Sequence, residues 1–153
     1  MLTPQRPYLT TRAHDALSRA HDLADRLGHE QITPTHVVIG VLQEGSNVAV
    51  AALYNRGVDL VELENDLKAA LPVSAQSREG PSERQWTSID DALIEMAKIE
   101  ATELQTEYYG CEHLLLATLR DDGTAPAVAL ARRGLSHLEL KAEILHMYGG
   151  PPE

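Results

Sequence analysis

Apolar residues fall at helical spacing over most of the chain. Ala13, Ala16, Leu17, Ala20, Leu23, Ala24 and Leu27 form one stripe at i, i+3, i+4 and i+7. The pattern predicts a first helix from about Thr11 to Leu27, capped by Thr10 or Thr11 and stopped by Gly28. Thr33-Pro34 opens a second helix, with proline in the first turn where its missing N–H costs nothing. Its body, Val37–Leu42, is apolar all round, which predicts the most buried element of its neighbourhood. A third helix, Asn47–Arg56, is expected to be capped by Ser46 and ended by Gly57, and Asp59 caps a fourth, with Asp59 and Glu62 at capping-box spacing.

The same pattern returns with a constant shift of 77 residues and no gap. His36 falls on His113, Thr10 on Thr87, Ala20 on Ala97, Leu27 on Leu104 and Glu30 on Glu107. Leu42 falls on Leu119, Leu53 on Leu130, Arg56-Gly57 on Arg133-Gly134 and Glu62-Leu63 on Glu139-Leu140. Ser136 to Glu139 has the spacing of a regular capping box. We therefore expect an all-α fold, a pseudo-twofold bundle of two tandem four-helix repeats within one domain, 1–153. Repeat one is 9–71 and repeat two is 86–148. The linker, 72–85, is polar, carries Pro and Gly and has no apolar period. The tail Gly149–Glu153 reads as a helix stop and a frayed end.

Composition narrows the function. The 153 residues include no Phe and six other aromatics, so the core is built from Leu, Ala, Val and Ile. A net charge of −10, without a basic cluster, argues against nucleic acid and anionic membrane surfaces as partners. Proteins are the expected partners. One cysteine excludes an internal disulfide, and no stretch approaches a membrane span of about 20 apolar residues, so we expect a cytoplasmic protein.

Seven histidines raise the question of a metal. His14 and His21 share a helix face, and His29-Glu30 begins like a zincin motif, but Thr33 stands where its second histidine would be. A zinc site needs three or four convergent ligands, so we expect no metal and no cofactor. His36 and His113 recur at matching helix starts, and we read them as partly buried rings bonding backbone groups of the next helix. Cys111 sits at a helix N-terminus two residues before His113, a setting that can lower a thiol pKa, and we read it as a small helix-start residue. Without an oriented base and oxyanion hole in view, the chain is read as a non-enzyme with no catalytic residues. Trp86, the twin of Leu9, is either a binding anchor or a cover for the seam between repeats.

Two segments carry a resemblance. LTTRAHDALSRAHDLADRLGHEQITPTHVVIGVL and YYGCEHLLLATLRDDGTAPAVALARRGL are similar to parts of the two halves of the Clp repeat domain, the N-terminal domain of the Clp family of AAA+ unfoldases. GCEHLLLATL, close to the family's GTEHLLLALL, is the most specific piece, and the likeness runs from about Leu9 to Tyr148. It implies a non-catalytic module that binds protein substrates, adaptor proteins or Clp ATPase/protease subunits. No GxxxxGK[ST] segment is present for nucleotide chemistry. In some members a Glu of each repeat grips a phosphorylated arginine, while a neighbouring helix start and a basic residue take the phosphate. Carried over, repeat two supplies Glu112 and Thr87 but has Asp90-Asp91 at the helix start, and repeat one supplies Thr10 and Arg12 but has Thr35 in place of Glu. Neither set is complete, which argues against phosphoarginine. The candidate partner-binding residues are Glu112, Thr87, Thr10, Arg12 and Trp86. Two other functions stay open: a small thiol hydrolase using Cys111 and His113, and a purely structural oligomerisation module.

Overall fold

The computed structural model describes residues 8–29, 31–71 and 88–149, with the backbone alone for 88–90. The linker 72–85, Trp86, Thr87 and the tail beyond Gly149 lie outside the described residues. Eight α-helices are described: α1 (Thr11–Arg26), α2 (Pro34–Glu44), α3 (Val48–Asn55), α4 (Leu60–Ala70), α5 (Ser88–Glu103), α6 (Cys111–Leu119), α7 (Ala125–Ala131) and α8 (His137–Met147). The 77-residue shift carries the first residues of α1 to α4 onto the first residues of α5 to α8.

Local chemistry sets these boundaries. Thr10, Thr33, Asp59, Thr124 and Ser136 each accept a hydrogen bond from a backbone N–H of the first turn they cap. Asn47, not Ser46, caps α3: its Oδ1 takes the N–H of Val50 while its Nδ2 donates to the Val41 carbonyl and Glu44. Ser46 instead donates to the Glu44 carboxylate. The expected box at Ser136 is half formed, because Glu139 meets the Ser136 hydroxyl instead of the cap's backbone N–H. α1 buries its whole stripe except Leu27, which lies beyond the last turn and is exposed. Gly28 leaves α1 in the left-handed region (φ 71°), and its twin after α5 is Gln105 (φ 60°). A side chain there costs roughly 1 kcal/mol.

The closest packing lies within each repeat, α1 on α2 and α5 on α6, and the two repeats then meet through their second helices. These bury Val37–Leu42 of α2 and Cys111–Leu119 of α6. Across the pseudo-twofold axis α1 touches α6 and α5 touches α2, while α3 packs on α8 and α7 on α4. Each fully buried Leu, such as Leu53, Leu63, Leu130 and Leu140, stabilises by about 1.5–3 kcal/mol. Within repeat one, Gly40 lets α1 and α2 approach until a Cβ there would collide with the Ala16 carbonyl. Its twin is Ala117.

The seam carries twinned ion pairs. Arg133 reaches Glu62 (3.4 Å) and Asp66 (2.6 Å), and Arg56 reaches Glu139 (3.7 Å). The Arg-Gly pairs read as helix stops therefore also tie one repeat to the other. A short parallel strand pair, absent from the helical pattern, adds a second tie: β1 (Tyr8–Leu9) lies beside β2 (Tyr108–Tyr109), in register.

Candidate functional site

The strand pair decides which helix starts become neighbours. β1 runs into α1 and the parallel β2 runs into α6, so the two N-termini emerge side by side. Thr10, the cap of α1, comes against Gly110, the cap of α6: a Cβ on Gly110 would lie 3.3 Å from Thr10 Oγ1 and 2.6 Å from Glu112 Oε1. Two positive helix ends thus flank one carboxylate.

Thr10 of repeat one thus stands beside Gly110 and Glu112 of repeat two. Arg12, in the first turn of α1, is exposed and its charge acts on Cys111 and Glu44. Thr35, twin of Glu112, is buried in the first turn of α2, whose Pro34 faces Ala92, Leu93 and Met96 of α5. Thr87 and Trp86 lie outside the described residues.

Glu112 is 3% exposed. Burial pushes its carboxyl above the usual range, opposed by the Tyr148 hydroxyl, which donates to Oε2, and by a bond from its own backbone N–H. With no side chain at Gly110, the carboxylate folds into space a capping residue would fill. Tyr148 follows the last turn of α8 and also meets the Tyr108 hydroxyl.

His113 is fully buried and bonds its own helix's cap, not the next helix. The Gly110 N–H donates to Nδ1 (2.8 Å), which leaves Nε2–H to donate to Thr106 Oγ1 (3.2 Å), and that hydroxyl donates to the Tyr108 carbonyl (2.7 Å). His36 does the same in repeat one: the Thr33 N–H donates to Nδ1 (2.9 Å), and Nε2 faces His29 Nδ1 (2.9 Å). Burial lowers the His113 pKa to about 4.

Cys111 is a buried residue at the start of α6. Burial, reinforced by the Glu112 charge, pushes the Cys111 pKa up to about 12, so the helix N-terminus does not yield a thiolate. Both His113 nitrogens are engaged, leaving no base for the Cys111 and His113 hydrolase reading.

Sequence reasoning missed a second polar cluster. Glu100, twin of Leu23, is fully buried on the apolar stripe of α5. Arg120 donates to both Glu100 and Glu103, His137 Nε2 lies 2.7 Å from Glu100, and Lys141 lies 3.0 Å from Glu103 and 3.7 Å from Glu100. The cluster backs a cleft of about 600 Å³ walled by Leu119, Ala127, Ala131, Leu135 and Leu138. A carboxylate interrupting an otherwise apolar stripe was the available signal.

Comparison with known proteins identifies the family. A family model described as the Clp repeat (R) N-terminal domain matches residues 8–131. The chain belongs to the Clp repeat N-terminal domain family. That family is a non-catalytic domain of AAA+ chaperones. The chain is 27% identical over 140 residues to the chaperone protein ClpB of Oceanobacillus iheyensis, covering 92% of this chain and 17% of ClpB. It is 30% identical over 137 residues to an uncharacterised protein of Mycobacterium tuberculosis, covering 89% of this chain and 52% of that one. It therefore spans about a sixth of the first relative and about half of the second. Among solved structures, the Hsp104 N-terminal domain of Candida albicans superposes with a TM-score of 0.74 at 16% identity, covering 94% of this chain and 93% of that domain. At that identity the likeness establishes the fold. Among the described residues no single helix is long and apolar enough to cross a membrane.

Proposed function

We propose that this Clp repeat domain is a non-catalytic protein-binding module that recruits protein substrates or adaptors for a Clp-type unfoldase or protease. The observation that carries this reading is the composite site. Two helix N-termini from different repeats, capped by Thr10 and Gly110, stand beside the exposed Arg12 and the buried Glu112. Adjacent helix ends and a guanidinium suit an acidic or polar segment of a partner protein, and among the described residues no nucleophile with a free base accompanies them.

Phosphoarginine is not the ligand we favour. Its guanidinium needs an available carboxylate, and Glu112 is buried and taken by Tyr148. Cytoplasmic residence and docking on a Clp machine belong to the same proposal.

An affinity capture with the immobilised chain tests it. We expect a Clp ATPase or protease subunit, an adaptor or a known client of such a machine to be enriched over blank resin, and to be reduced by Arg12→Glu. Recovery of none of these sinks the reading.

A further inference from the structure

The cleft between the end of α5, α7 and the start of α8 is built from residues that set repeat two apart. Ala127 and Ala131 wall it where repeat one has the larger Val50 and Tyr54. Beneath it Glu100 and His137 stand in place of Leu23 and Leu60, and Arg120 and Lys141 in place of Gln43 and Glu64. Repeat one shows that leucine at the Glu100 position suffices for the fold, and a buried ion cluster seldom outperforms apolar packing. The cluster is also incomplete. Glu100 Oε1 takes Arg120 and lies 2.7 Å from His137 Nε2, but the buried Oε2 accepts no hydrogen bond, and the Lys141 ammonium stands 3.7 Å away. Three carboxylates, Glu100, Glu103 and Asp122, meet two permanent cations, Arg120 and Lys141. Asp122, on the exposed turn after α6, makes no ion pair among the described residues. One acceptor and one negative charge are left over beside an apolar cleft.

We infer that this cleft is a second docking site, which takes from a partner protein a segment carrying an aliphatic side chain with a lysine beside it. Its volume of about 600 Å³ falls within the range of ligand pockets, about 300–1,000 Å³. The aliphatic group packs between Leu119, Leu135 and Leu138, the last of which is 75% exposed and carries the apolar wall out to the surface. The lysine stem follows the same wall, and its ammonium brings the missing positive charge to the Asp122 side of the ion cluster. None of the composite-site residues lines the cleft. The inference rests on the protein-binding reading above and adds a surface of opposite preference to it: the composite site suits an acidic segment, the cleft a basic one.

The experiment titrates three fluorescein-labelled peptides into the full chain: GSKLLKSG, the same peptide with both lysines acetylated, and GSKSSKSG. Wild type is expected to bind GSKLLKSG at least fivefold more tightly than either control. Ala131→Tyr, which places the residue of repeat one on the cleft wall, and Asp122→Lys should each weaken GSKLLKSG at least fivefold, while Arg12→Glu leaves it within twofold. Both cleft positions are exposed, so these substitutions spare the core. Equal binding of the three peptides, undiminished affinity in Ala131→Tyr or Asp122→Lys, a loss in Arg12→Glu, or no binding by wild type overturns the inference. Wild type alone supplies a check that needs no variant: GSKLLKSG should shift the amide resonances of residues 135–138, and shifts confined to 10–12 and 110–112 overturn the cleft as the site. Capture of Clp components that persists beside these negative results removes the cleft and leaves the protein-binding reading intact. Loss of that capture removes the reading whatever the peptides do.

Discussion

Repeat one has Leu23 and Leu60 where repeat two has Glu100 and His137, and Thr35 and Leu71 where repeat two has Glu112 and Tyr148. The helix starts still obey one shift throughout. Repeat one therefore closes its first helix onto its second with apolar side chains and a backbone contact at Gly40. Repeat two packs the matching helices around buried carboxylates that Arg120, His137, Lys141 and the Tyr148 hydroxyl partner. The lesson is that shape is held by the shared leucines and caps, while polarity has been free to diverge on one side.

The largest effects should show where the repeats are the same. Leu53→Ala and Leu130→Ala each empty a fully buried twin position and should cost about 3–5 kcal/mol in urea unfolding, within about 1 kcal/mol of each other. A large inequality would break the idea of one shared core.

Next comes the point where they differ most. Arg120→Ala strips a partner from the fully buried Glu100 and should cost about 2 kcal/mol, discounted because the guanidinium is partly exposed. Gln43→Ala at the twin position should stay within about 0.5 kcal/mol. Glu100→Leu, which restores the residue type of repeat one, should cost less than Arg120→Ala; the reverse order would mean that the ionic cluster is a net source of stability.

A pH series sharpens the comparison further. The His113 pKa falls from 6.5 to about 4 in the fold, so between those values the unfolded chain binds the proton and the folded chain does not. Stability should therefore drop by about 1.4 kcal/mol per unit as pH falls through that window. Glu112, held above its ordinary 4.5, opposes this above that value, because the folded state then holds the extra proton. In a Glu112→Gln background the histidine slope should steepen, and His113→Gln should flatten it; an unchanged slope in His113→Gln removes the assignment.

The smallest effect is at the twin helix exits. Gln105 occupies the left-handed position that Gly28 fills in repeat one, and Gln105→Gly should stabilise by about 0.5 kcal/mol, the relief of strain exceeding the added unfolded-state freedom. A lower melting temperature would show that Gln105 has a compensating contact.

Much of the fold was readable because its causes are local. Thr10, Thr33, Asp59 and Ser136 act on N–H groups within three residues of themselves, and the stripe Ala13 to Ala24 follows from helical spacing. Ser46 was mistaken for a cap because Ser and Asn are both good caps, and only the turn that brings Asn47 onto the Val41 carbonyl decides between them. Cys111 shows the limit of local reading: its position at a helix N-terminus is local, but its burial is not, and burial dominates its pKa.

By itself, then, the sequence determined helix number, every cap but that of α3, the 77-residue repeat and the family, because all of these rest on interactions a few residues apart or on periodicity along one chain. It could not determine that Thr10 meets Glu112, that Tyr148 reaches across 36 residues to hold that carboxylate, or that Arg120 and His137 converge on Glu100. The first depends on the parallel pairing of β1 with β2, and the others on α6 packing against α5 and α8. The long-range arrangement alone sets which charges leave water together and which donors remain to satisfy them.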